Sequence, residues 1–193
     1  DQVMRAVKNA FAAVGIGELG SGTVNPIETT VTTESAVSGS EGISLLESND
    51  LVIADTTATV NRVTADATTS ATTDANQSDL VTSSNGSIVV RSTAGDMTLN
   101  EGTATGAGQS VNAHGTGKIL LQTMDTAKSI IVNNKADIVS GSGDITVLAG
   151  KDITVKTDAD ITNTGTGTVD IEATNGAIIF STTSHQSTVS GHI

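Results

Sequence analysis

The sequence predicts an all-β protein built as a parallel β-helix, or β-solenoid, with about 24–26 residues and three short strands per coil. Three observations carry this. Strand-like segments recur at nearly one period: Gly117-Lys118-Ile119-Leu120-Leu121 returns as Gly143-Asp144-Ile145-Thr146-Val147 and as Gly167-Thr168-Val169-Asp170-Ile171, at spacings of 26 and 24. A second series, Ile130, Ile153 and Ile178, is spaced by 23 and 25, and a third places Ile161 23 residues after Ile138. Within the later strands apolar and polar residues alternate (Ile145/Val147 around Thr146, Ile153/Val155 around Thr154), so one face is buried and one is wet. Finally, two Phe are the only aromatics among 193 residues, with no Trp or Tyr. A chain without rings must bury itself through many narrow β-branched strands.

Taken from the N-terminus, residues 1–40 stand outside the repeat as a capping or lead-in segment. Val3, Ala6/Val7, Ala10/Phe11 and Val14 recur at helical spacing, and Gly15 and Gly17 would stop a short helix there. The solenoid is expected over 41–193. Gly42-Ile43-Ser44-Leu45-Leu46 with Leu51-Val52-Ile53, and Gly86-Ser87-Ile88-Val89-Val90 with Asp96-Met97-Thr98-Leu99, read as the first two sides of earlier coils. Their spacing is stretched by polar tracts near 56–84 and 100–116, read as insertions at one corner, with a partner-binding loop as the sharper alternative. From 117 the pattern is regular. The expected core column is Ile88, Val90, Ile119, Leu121, Ile130, Val132, Ile145, Val147, Ile153, Val155, Val169, Ile171, Ile178 and Phe180.

A formal charge of −12 argues against nucleic acid and anionic membranes, which select for clustered Lys and Arg. No apolar run approaches the roughly 20 residues that span a bilayer. The chain has no cysteine, so neither disulfides nor thiolate metal sites arise. It begins at Asp1, which reads as a fragment or processed piece.

The stretch from Gly143-Asp144-Ile145-Thr146-Val147-Leu148-Ala149-Gly150 through Lys151-Asp152-Ile153-Thr154-Val155 to Val169-Asp170-Ile171 and Ala177-Ile178 resembles repeats of large bacterial surface proteins. The nearest in character are filamentous-haemagglutinin-like adhesins and giant repetitive extracellular proteins. The good match spans residues 118–180, and a weaker one 40–100. The resemblance implies a right-handed solenoid, secretion to the cell surface, and a role in adhesion or surface structure. It supplies no functional residues.

No enzyme site is expected. His114, His185 and His192 have no carboxylate or serine at triad or zinc spacing. Asp144, Asp152 and Asp160 open three successive strands at three different corners, so they do not converge. Only Asp137 and Asp160 stack acid on acid, and a lone pair falls short of the six to eight oxygens calcium takes. No cofactor or metal is therefore expected. The candidate lateral interface is Val89, Leu120, Ile131, Val139 and Ile179, apolar residues at outward positions. The expected function is a structural or adhesive module acting as a stiff self-associating rod. Its expected partners are further copies, through coil stacking or lateral contact, and a cell-surface or glycan ligand. The competing expectation is a secreted polysaccharide-active β-helix enzyme.

Overall fold

The computed structural model describes residues 6–12, 14–20, 22, 24–103 and 108–188, and every regular element among them is a strand. A lead strand β1 (Ala6–Ala12) precedes coil one, which holds β2 (Gly15–Ile16), β3 (Ile27–Thr29) and β4 (Thr33–Ser38). Coil two comprises β5 (Gly42–Glu47), β6 (Leu51–Ile53), a hairpin of β7 (Thr59–Val63) and β8 (Thr69–Thr73), and β9 (Leu80–Thr82). Coil three is β10 (Ile88–Ser92), β11 (Met97–Leu99) and β12 (Gln109–Ala113), and coil four is β13 (Ile119–Thr123), β14 (Ile130–Val132) and β15 (Asp137–Ser140). Coil five is β16 (Ile145–Ala149), β17 (Ile153–Val155) and β18 (Ile161–Asn163), and coil six is β19 (Val169–Ala173), β20 (Ile178–Phe180) and β21 (Gln186–Thr188).

Three parallel ladders result. Face one stacks β2 and β3, β5, β10, β13, β16 and β19; face two stacks β6, β11, β14, β17 and β20; face three stacks β9, β12, β15, β18 and β21. Both later faces rest on β4, whose Thr33 and Glu34 pair with β6 while Ala36 to Ser38 pair with β9. Equivalent residues lie over one another, as in Ile88–Ile119–Ile145–Val169 and Met97–Ile130–Ile153–Ile178. At about 4.8 Å per coil, six coils span about 24 Å. The inward alternation is the one read from the sequence: Ile145, Val147, Ile153 and Val155 are fully buried, while Thr146 and Thr154 are half-buried on the outside. The column opens at its far end. Ile171 and Phe180 are only partly buried and Ile178 is 45% exposed, because coil six has a neighbouring coil on one side only.

Glycines mark the corner between faces three and one. A Cβ on Gly117 would sit 2.1 Å from the Gly86 carbonyl oxygen, and one on Gly143 2.0 Å from that of Gly117. The backbones of successive coils touch there, which explains the glycine period. Except in coil three, where it is Ala113, the inward residue just before this corner is polar and binds a glycine carbonyl. Ser38 Oγ donates to Gly42 O at 2.7 Å, Thr82 Oγ1 to Gly86 O at 2.6 Å, Ser140 Oγ to Gly117 O at 2.8 Å and Asn163 Nδ2 to Gly143 O at 2.5 Å. Corner carbonyls that the ladders leave over are thus satisfied inside the rod.

Three features differ from expectation. Residues 6–12 form no helix; β1 pairs in parallel with β4. The four-residue spacing of Val7 and Phe11 is also a multiple of two, and the unpaired edge of β4 recruits the segment as a strand. The ladder likewise reaches into 1–40, since β2, β3 and β4 build coil one. The tracts near 56–84 and 100–116 are not wholly insertions, because β9 and β12 are genuine face-three strands. Their inward residues include Thr82 and Ala113, so the aliphatic signal there is thin.

Candidate functional site

The outward positions of face one run Ser44, Val89, Leu120, Thr146 and Asp170 in one column, and Leu46, Arg91, Gln122, Leu148 and Glu172 in the next. Val89 and Leu120 are therefore direct neighbours, both half-buried. Leu46 and Leu148, which the sequence reading did not single out, flank them diagonally. Ile131 lies on face two between Thr98 and Thr154, and Ile179 one coil beyond Thr154. Val139 lies on face three between Asn112 and Thr162. The five residues thus occupy three faces, and only Val89 and Leu120 touch as ladder neighbours. The missing signal was the phase of the coil: the period shows which residues stack, but only the corner positions show which face each stack lies on.

Two shallow grooves follow the corner between faces one and two. One, of about 300 Å³, is bounded by Gln122, Met124, Thr126, Leu148, Glu172 and Thr174. The other, of about 230 Å³, lies between Glu28, Thr30, Leu46, Ser48 and Thr93. Hydroxyls, amides and carboxylates rim aliphatic floors, and neither groove contains an aromatic ring.

The periodic aspartates have a structural task. Each precedes a strand, and its carboxylate accepts the backbone N–H of the equivalent residue one coil on. Asp50 takes Asp96 N at 2.8 Å, Asp96 takes Ser129 N at 2.7 Å, and Asp152 takes Ala177 N at 2.9 Å. On the other corners Asp144 takes Thr168 N at 3.0 Å, Asp137 takes Asp160 N at 2.8 Å, and Asp160 takes His185 N at 2.7 Å. Lys118 Nζ adds an ion pair to Asp144 at 2.8 Å, and together these bonds hold that carboxyl down at about 2. Each of these acids bridges one coil to the next.

Asp137 differs. Burial, with the negative charges of Asp160 and Glu101 nearby, pushes its carboxyl up to about 6. The acid-on-acid stack expected at 137/160 therefore exists, and the nearby Glu101 charge raises Asp137 further. Yet among the described residues no three His, Asp or Glu side chains converge in a way that holds a metal ion. His185 Nδ1 lies 3.2 Å from Asp160 Oδ1, and the exposed His114 contacts the Thr82 carbonyl. His192 lies outside the described residues.

Glu47 is a buried acid that the motif search passed over. Fully enclosed, its Oε1 accepts Ser48 N at 2.7 Å and Asn49 N at 3.2 Å, while Oε2 accepts Val31 N at 3.2 Å. It ties coil one to the corner of coil two. The alternation Ile43, Leu45, Glu47 did point it inward.

The hairpin projects from the corner between faces two and three. Each residue of β7 is exposed, including Val60 and Val63. Its tip is closed by Asp66, which accepts from both Thr64 Oγ1 and Thr68 Oγ1. Its base is locked to the neighbouring insertion: Asp55 accepts from Thr103 N and Oγ1, and Asn76 Nδ2 donates to Thr103 Oγ1. Two tracts separate in sequence therefore form one protrusion. The chain matches no protein-family model, and comparison with curated proteins and with solved structures gave no significant match.

Proposed function

We propose that this chain is a non-catalytic structural or adhesive rod of a secreted bacterial surface or extracellular fibre, in which the solenoid spaces and presents other parts and associates with further copies. The observation that carries the reading is the set of three parallel ladders continuing through successive coils, with corner carboxylates and glycines spent on stacking. The resemblance of 118–180 to adhesin repeats adds the surface setting, and the protrusion built on 56–77 and Thr103 is the natural place for a glycan or cell-surface ligand. The strong acidic charge keeps an edge-rich rod soluble.

The competing reading, a polysaccharide-active β-helix enzyme, draws on the Asp137/Asp160 pair, with the Asp137 carboxyl raised to about 6. Force extension of the chain tethered at both ends, run beside a depolymerisation assay on neutral and acidic polysaccharides, separates the two. A rod gives stepwise coil-by-coil rupture and no bond cleavage. Cleavage that disappears in Asp137→Asn would replace the structural reading with the enzymatic one.

A further inference from the structure

Among the described residues, the two strands of the projecting hairpin pair only with each other. Their register decides which backbone groups that pairing uses. Asp74 N donates to the Ala58 carbonyl and Thr64 N to the Thr68 carbonyl, at 2.9 Å each, so the hydrogen-bonded pairs fall on even positions, Arg62 with Ser70 and Val60 with Thr72. The N–H and C=O groups of Thr69, Ala71 and Thr73 therefore point away from β7, along an outer row that no described strand covers. That row is unguarded. β8 reads Thr-Ser-Ala-Thr-Thr, without charge, proline or glycine, whereas β7 carries Arg62. The arm is also anchored: Asp55 and Asn76 tie its base to Thr103, and Asp66 closes its tip.

Resting on the self-association in the reading above, we propose that β8 pairs edge to edge with β8 of a second copy, making one four-stranded antiparallel sheet from two arms. Register and charge both point to a copy as the occupant. A two-fold axis at Ala71 sets Thr69 opposite Thr73 of the partner subunit and Ser70 opposite Thr72 of the partner subunit. The outward groups at 69, 71 and 73 then meet as hydrogen-bonded pairs, and threonine and serine line the seam. Arg62 and Asp66 cancel, so residues 59–73 are neutral in a chain of net charge −12. Acidic rods repel wherever their surfaces approach, and the arm lets two of them meet without that repulsion. Ala71 stands about 20 Å out from Gln77 at the foot of the arm, so arms joined there hold the rods about 40 Å apart. That exceeds the Debye length of about 8 Å at physiological salt.

The test is sedimentation velocity of the full chain over a concentration series at low and high salt, with a nitroxide on the Ala71→Cys variant; the chain has no other cysteine. The expected result is a dimer of twice 19.3 kDa that changes little with salt, with dipolar coupling between labels closer than about 20 Å. Ala71→Pro removes the bonds at the axis and weakens dimerisation at least about tenfold. Because the Ala71 N–H points away from β7, the hairpin and the melting of the solenoid are unchanged. Asn61→Pro makes the same change on the outer row of β7 and leaves the dimer intact. A monomer at every concentration overturns the proposal together with the self-association it rests on. Growth past the dimer, labels farther apart than about 30 Å, or a dimer lost equally in both proline variants overturns the pairing through β8. If a dimer survives Ala71→Pro but is lost in Val89→Thr/Leu120→Thr, association runs through the rod: arm pairing falls and the self-associating rod stands.

Discussion

Replacing Gly143 with alanine tests the corner on which the stack depends. Gly143 is not in the left-handed region, so alanine is locally allowed and the penalty is purely one of space. The new methyl would lie 2.0 Å from Gly117 O, 2.4 Å from Gly117 C and 2.6 Å from Thr116 O, all backbone atoms of the coil before. A backbone cannot rotate away as a side chain does. Coils four and five must part at this corner by about an ångström, and the Ser140 Oγ bond to Gly117 O, which crosses the same gap, lengthens with them. Overpacking of one methyl costs about 1–3 kcal/mol, and a weakened buried hydrogen bond adds about 1 kcal/mol. The expected loss is about 3 kcal/mol, or about 6–12 °C in melting temperature for a chain of this size. Urea and thermal unfolding followed by circular dichroism measure it, with Thr146→Ala on the outer surface of the same coil as a control expected within about 0.5 kcal/mol. If Gly143→Ala melts with the wild type, the coils are not in backbone contact at this corner, and the explanation of the glycine period is wrong.

The same measurements carry three further expectations. Ile153→Asp puts an unpaired charge in the driest part of the column and should cost at least about 4 kcal/mol, with loss of the ladder signal around β17; a near-neutral result would mean the register is off by one. Glu47→Ala leaves the buried Val31 N–H and the half-buried Asn49 N–H without this acceptor, while Ser48 N–H keeps the Thr29 carbonyl, and should cost about 2 kcal/mol and loosen coil one first in hydrogen exchange. Asp137 titrates near 6 in the fold against an ordinary 3.8, so its contribution is fully present below about pH 4 and lost as pH rises through 6. Asp137→Asn retains the acceptor for Asp160 N and should raise stability by about 1 kcal/mol at pH 7–8, with no gain at pH 4. A uniform shift at all pH values would exclude the titration. Asp144, held down at about 2, acts in the opposite window and is lost only as pH falls from 4 towards 2.

What the sequence made legible was the part governed by repetition. Ile119, Ile145 and Val169 share a column because three independent strand series agreed on one period, and a one-residue slip would have turned every aliphatic outward. Legibility failed where the inward residue was small or polar. Face three uses Ala36, Ala113, Thr82, Ser140 and Asn163 inward, so β9 and β12 looked like polar insertion. It failed again where an edge overrode local pattern, as when β4 made a strand of 6–12 against its helical spacing. The candidate interface was half legible: Val89 and Leu120 stack as expected, but Ile131 and Val139 turn onto other faces.

The scarcity of aromatics, two Phe in 193 residues, follows from the same geometry. Face one contributes three inward side chains per coil and faces two and three contribute two each, and on face three one of the two is small or hydrogen-bonded to a corner carbonyl. The resulting interior is narrow, and its layers are fixed at the ladder spacing of about 4.8 Å. A ring in one coil would need compensating small residues in the coils above and below it. Ile, Val and Leu fill each layer without that demand. Phe180 tests the rule by exception: it sits in coil six, where its outer side has no described coil to displace.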